Sequence, residues 1–156
     1  MIKRFLLWLW REIPFPFPVR YLFLRSINQK FLIGVNALVV NDDQEVLLFK
    51  HSYRKTIPWG LPGGWLKKGE TPEVAIKREI SEESGYHLRS IKPLMIDKSG
   101  KYSKLDIIYV GQLEPGKKFK PSLEVVDAKF FAMNHLPKLL NKQEEIIKNY
   151  LLSPES

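Results

Sequence analysis

From Phe31 to Val40 the chain is apolar and rich in β-branched residues, which predicts a buried strand. Asn41-Asp42-Asp43 is a turn signal, and Glu45–His51 reads as the return strand. Residues 52–64, punctuated by Pro58, Gly60, Pro62, Gly63 and Gly64, read as loop. Thr71-Pro72-Glu73 opens a helix: threonine caps, proline suits the first helical position and an acid suits the first turn. That helix runs to about Ser84 and stops at Gly85, a residue type favoured just past a helix end. Strands are expected near 87–97, 104–113 and 125–132, and Leu136-Pro137 marks a turn. A terminal helix over 140–152 would place Ile146, Ile147, Tyr150 and Leu151 on one face. Strand, strand, helix, three strands and helix predict an α/β domain with helices packed on a mixed sheet.

Residues 1–30 depart from this pattern and form an aromatic and basic extension ahead of a domain at 31–156. Phe5, Trp8, Trp10, Phe15, Phe17, Tyr21 and Phe23 are interleaved with Lys3, Arg4, Arg11, Arg20, Arg25 and Lys30, and Glu12 is the only acid. Pro14, Pro16 and Pro18 alternate with Phe15 and Phe17. Proline fixes φ and removes donors, so 14–18 is expected to be extended, separating helical candidates at 3–12 and 19–28. The apolar patch Phe5–Trp10 is shorter than the 7–15 residues of a secretory core and no small-residue cleavage site follows, so the segment is read as retained.

The 156 residues fit one domain, and 44% hydrophobic with 27% charged residues suits a folded globule. The absence of cysteine excludes disulfides, thiolate catalysis and cysteine-bound zinc, and leaves the cytoplasm as the default compartment. His51, His87 and His135 are too scattered for a histidine metal site. No apolar run approaches the roughly 20 residues that span a bilayer. A formal charge of +8 favours anionic partners: phosphorylated small molecules, nucleic acid or anionic lipid.

Within the helix after Thr71, Glu79, Glu82 and Glu83 stand at i, i+3 and i+4, three carboxylates on one face. Like charges so placed repel one another. Two readings follow: a solvated acidic face, or a site for a hard divalent cation, Mg²⁺ or Mn²⁺. The surrounding residues bear on the choice. Gly64, Glu70, Arg78, Glu79, Ile80, Glu82, Glu83, Gly85 and Tyr86 match G-x5-E-x7-R-E-U-x-E-E-x-G-U, with U a bulky apolar residue. Each fixed residue type occurs at about 5–7%, so a chance match at all seven fixed positions is roughly one in 10⁸ or rarer per starting point. This stretch, residues 64–86, resembles the signature of the Nudix hydrolase family. Trp59-Gly60-Leu61-Pro62-Gly63-Gly64 is similar to the strand and turn that lead into the family's box, and Phe130-Phe131…Leu136-Pro137 to its tail segment.

The resemblance implies a Nudix-type α/β/α sandwich with a mixed sheet. It implies hydrolysis of a nucleoside diphosphate linked to another group, with Mg²⁺ or Mn²⁺ as cofactor and water attacking phosphorus. By position, Glu82, Glu83 and the carbonyl of Gly63 would bind metal. Glu79 would be a further ligand or the general base, and Arg78 would orient a carboxylate of the site. Gly64, Glu70 and Gly85 would be architectural. Some relatives take the base from a later loop, where Glu124 is the first candidate and Asp127 the second. Trp65 and Tyr102, with Trp59 and Tyr53, would offer rings for a base to stack on. The alternative for Trp59 and Trp65 is packing around the loop, and it is favoured for Trp59. Arg54 is the basic residue expected to meet phosphate, whereas Lys55, Lys101, Lys104, Lys117, Lys118 and Lys120 read mainly as surface. His51 is expected at a strand end without a catalytic role.

Subclass marks are sparse. The NADH-type stretch is absent after Tyr86, and Lys101 and Tyr102 stand where many ADP-ribose enzymes carry a proline. Three functions remain open: a nucleotide-derivative hydrolase, an RNA 5′-end pyrophosphohydrolase that the positive charge would suit, and a non-catalytic ligand-binding module. The intact glutamates count against the third. For residues 1–30, packing on the domain or across a homodimer competes with peripheral contact to anionic lipid, and packing is favoured.

Overall fold

The structure, a computed structural model, describes residues 16–28, 30–98 and 103–153. The chain divides into two compact units, one ending at Phe31 and the other beginning at Leu32. The helical candidate at 3–12 and the rings of Phe5, Trp8, Trp10 and Phe15 lie outside the described residues, as does Tyr102.

In the first unit, helix α1 spans Phe17–Ile27. It begins two residues before the expected start and absorbs Pro18. The reason is local: Pro18 sits in the first turn, where a missing N–H has no intrahelical partner to lose. Pro16, with φ −54° and ψ 144°, is the last extended residue, and its carbonyl accepts from Val19 and Arg20 N–H. No residue of α1 is buried.

The second unit runs β1 (Leu32–Val39), β2 (Val46–His51), β3 (Trp59–Gly60), β4 (Gly63–Trp65), α2 (Pro72–Ser84), β5 (Leu88–Asp97), β6 (Lys104–Leu113), β7 (Val125–Phe131), a 3₁₀ turn (Met133–His135) and α3 (Asn141–Leu151). One sheet has the order β4-β1-β6-β5 and the other β3-β2-β7. β1 and β6 are parallel, in register from Leu32↔Lys104 to Val39↔Gly111, so the first sheet is mixed.

Two expectations change here. The stretch 52–64 is not all loop: Trp59–Gly60 pairs with β2, and Gly63–Trp65 pairs antiparallel with β1. Strands this short carry too few side chains to show a period. Nor does β2 return along β1. Only the bridge Val40↔Val46 joins them, because β4 and β6 already occupy the two edges of β1. β2 diverges and builds the second sheet.

The apolar run of β1 follows from burial on both faces. Val35, Ala37 and Val39 pack with Leu47, Phe49 and the Ala75, Ile76 and Ile80 face of α2. The alternate residues Leu38 and Val40 pack with Val46, Leu48, Leu139 and Ile147 toward α3. Period-two alternation therefore distributes one strand between two helical layers, giving the α/β/α sandwich. The start and stop of α2 are as the sequence predicts. Thr71 Oγ1 accepts from Val74 N–H at 3.4 Å, and Gly85 ends the helix in the left-handed region at φ 69°, where a side chain would be strained.

Candidate active site

Packing of Ala75, Ile76 and Ile80 fixes the rotation of α2, and that rotation sets where its polar residues point. Arg78 and Glu82 share one flank, and Glu83 is drawn inward to 8% exposure. Arg78 is the hub. Its Nε and Nη2 hold both oxygens of Glu70 at 2.6 and 3.0 Å, and Nη2 also donates to the Trp65 carbonyl at 3.2 Å. Its Nη1 meets Glu79 at 2.9 Å and Glu82 at 3.1 Å. One guanidinium thus spans the loop before the helix and two carboxylates on it, a task suited to a planar fork. The hydrogen bond from Arg78 holds the Glu70 carboxyl below its usual range, and Glu70 in turn raises the guanidinium. Glu70 also accepts from Lys67 N–H, closing the loop on itself.

The paired glycines admit the chain beside these groups. A Cβ on Gly64 would collide with the Glu79 carboxylate, and one on Gly63 with the carbonyl of Val35. Bare backbone at Gly64 lets Glu79 Oε1 accept from Trp65 N–H at 3.3 Å. The turn and the helix are therefore tied together through the very carboxylate that the sequence marks.

Glu83 is different. Its Oε2 is buried and has no hydrogen-bond partner. Burial pushes its carboxyl up to about 8, assisted by the negative charges of Glu79, Glu124 and Glu82 and opposed by Arg54. Glu79, Glu82 and Glu124 thus act on one carboxyl whose Oε2 is buried. Among the described residues no three acids or histidines already converge as a cation cage. The guanidinium of Arg78 takes up Glu79 and Glu82 instead. An all-oxygen donor set with one buried, unpartnered carboxylate fits a hard divalent cation.

The other expected residues are spread around this cluster. Glu124 is exposed at the head of β7, and its carbonyl accepts from Ser52 N–H. Asp127 is engaged by Lys129 at 3.0 Å. Arg54 lies against Gly60, and its charge reaches both Glu83 and His51. Trp65 is 50% exposed with Lys104 Nζ 5.1 Å from its ring. Trp59 packs edge-on against Phe131 at 5.0 Å, the packing role favoured for it. His51 ends β2 at 2% exposure, and burial with the nearby Arg54 charge lowers its imidazole to about 4.

Three polar residues near the glycine turn have no counterpart in the signature. Gln143 of α3 accepts from Leu61 N–H at 3.3 Å. Asn36 donates to the largely buried Asp106 at 3.1 Å, and Asp106 holds Lys104 at 3.0 Å beneath Trp65. An amide inside the β1 apolar run and an acid inside that of β6 are the sequence signals for two of them. Gln143 has none, because its partner is brought from 82 positions away by the fold.

The chain is similar to known proteins over most of its length. A model of the NUDIX domain matches residues 30–151. An ADP-ribose pyrophosphatase from Methanocaldococcus jannaschii is 34% identical over 122 residues, covering 72% of this chain and 69% of that protein. A putative 8-oxo-dGTP diphosphatase from Bacillus subtilis is 30% identical over 116 residues, covering 72% and 76%. The crystal structure of a MutT NUDIX hydrolase from Burkholderia pseudomallei superposes with a TM-score of 0.67 at 24% identity, over 80% of this chain and all of that one.

Proposed function

The chain belongs to the NUDIX family of pyrophosphate hydrolases, and on that premise we propose that it cleaves a nucleoside diphosphate linked to another group, with Mg²⁺ or Mn²⁺ held at the α2 carboxylates. The observation that carries this reading is Glu83: a buried carboxylate oxygen without a partner, among three other acids. Such a group is costly unless a cation joins it. Glu82, Glu83, Glu79 and the Gly63 carbonyl are the proposed ligands. A divalent ion there supplies neutralisation of the pyrophosphate charge and acidification of bound water.

The chain's own groups divide the remaining work. Arg78 is a positioning residue: its bonds to Glu79 and Glu82 fix where those carboxylates stand. Glu70 locks Arg78 to the loop. Glu124, exposed and electrostatically linked to Glu83, is the proposed general base for the attacking water, with Glu79 the alternative. Arg54 supplies positive charge on the Glu83 side for a phosphate oxygen, and the half-exposed Trp65 a ring for the nucleobase. The names of the two relatives support ADP-ribose and an oxidised nucleoside triphosphate as the first substrates to assay. The +8 charge also suits a 5′-triphosphorylated RNA.

A substrate panel tests the reading: ADP-ribose, nucleoside triphosphates and triphosphorylated RNA, each with Mg²⁺ and with chelator. Metal-dependent release of a nucleoside monophosphate or of phosphate from at least one of them is expected. Binding of ADP-ribose without turnover of any substrate would leave a ligand-binding module and overturn the proposal.

A further inference from the structure

Helix α1 carries a stripe of exposed side chains. Phe17, Tyr21, Leu24 and Asn28 follow one another at spacings of four, three and four, so they share one face. At 3.6 residues per turn, Arg25 lies about 70° to one side of that stripe. Phe17 is 79% exposed, and its ring stacks with that of Tyr21 at 6.4 Å. Leu22, Leu24 and Ile27 are exposed as well. Beside the stripe, Tyr21, Leu24, Arg25, Asn28 and Lys30 line an open cleft of about 330 Å³. Its rim offers two cations, a phenol and an amide.

We propose that residues 16–31 dock in the plane of an anionic lipid bilayer, with Phe17, Tyr21 and Leu24 in the headgroup–acyl boundary and Arg25 and Lys30 on a lipid phosphate. Three observations favour this occupant. The segment 13–41 contains no acid, so every fixed charge in it attracts an anionic surface. The exposed aliphatic and aromatic side chains of α1, on the stripe and around it, gain by leaving water, which an RNA backbone does not offer them. Arg25, exposed beside the stripe, can lie along the apolar zone with its head at the phosphates. Eleven residues make a helix of about 16 Å, half the bilayer core, so α1 lies in the interface. No helix among the described residues is long and apolar enough to cross a membrane.

The test is vesicle sedimentation of the full chain. Vesicles of phosphatidylcholine with about 30% phosphatidylglycerol are compared with pure phosphatidylcholine, at low salt and at about 0.5 M. Pelleting is expected on the anionic vesicles at low salt and should fall with added salt. The double variant Arg25→Glu/Lys30→Glu should bind at least about 20-fold more weakly, from roughly fivefold per lost cation. Its melting temperature should equal that of the parent, since both residues are exposed. Absence of pelleting, or equal pelleting on neutral vesicles, would overturn the proposal. So would a vesicle-free dimer broken by the same variant, or RNA binding in place of lipid binding.

Discussion

Replacement of Arg78 by lysine keeps the charge and removes the fork. The guanidinium makes five polar contacts: two with Glu70, one each with Glu79 and Glu82, and one with the Trp65 carbonyl. An ammonium at the same place retains attraction to the carboxylates and reaches one or two of them. The Glu82 contact contributes little, because that carboxylate is 56% exposed and screened. Losing the better-shielded contacts of an arginine side chain that is 17% exposed should cost about 2–3 kcal/mol, at roughly 1 kcal/mol net per bond. For a chain of this length that is a fall of about 5–10 °C in melting temperature. Calorimetry at neutral pH measures it. Arg78→Lys and Glu70→Gln remove the same contacts, so their effects should be strongly sub-additive in a double-mutant cycle. Turnover should fall by about 10–100-fold, since the carboxylates lose the group that aims them. A variant melting within about 2 °C of the parent would refute the hub assigned to Arg78.

Other consequences follow from single residues. Gly64→Ala places a methyl group against the Glu79 carboxylate and should abolish activity, read by steady-state assay, while circular dichroism stays near that of the parent. His51 titrates near 4 in the fold against 6.5 in the unfolded chain, so the unfolded state takes up the proton first as pH falls. Its contribution is therefore complete above 6.5 and lost between 6.5 and 4, up to about 3 kcal/mol. His51→Phe should flatten the urea-measured stability in that window, and an unchanged slope would contradict the assignment. Hydrolysis in ¹⁸O-water should label a phosphate product in a single turnover, and label passing through a protein side chain would contradict direct attack by water.

Much of the fold was legible because its signals are local. Thr71-Pro72 and Gly85 delimit α2 within a residue of the expected ends, since caps depend only on neighbours in the chain. The seven fixed residues of the box were legible as a pattern, and the structure adds their logic: Arg78 in contact with Glu70, Glu79 and Glu82. What escaped is what depends on distant partners. β3 and β4 exist because β2 and β1 offer them edges, not because two or three residues prefer extended backbone. The departure of β2 from β1 follows from edges already filled by β4 and β6. The Asn36–Asp106–Lys104 chain joins residues 70 positions apart, and its only trace in sequence is a polar residue inside each of two apolar strands. The burial of Glu83, which singles it out from two neighbouring glutamates, required the packed rotation of α2.

If divalent metal held at the α2 carboxylates drives pyrophosphate cleavage, Glu83→Gln should depress it at limiting metal. The substitution keeps the volume of the side chain and replaces a carboxyl that can ionise to meet a cation with an amide that cannot. The folded protein should be at least as stable without metal. The decisive measurement is the initial rate of cleavage of the best substrate in the panel as a function of Mg²⁺, for parent and variant side by side. The parent should show a saturable dependence on Mg²⁺, and the variant a rate lower by more than about 100-fold at limiting metal, beyond what loss of an outer-shell partner alone produces. A variant that keeps a rate within a few-fold of the parent at limiting Mg²⁺ would show that cleavage does not depend on metal held by Glu83.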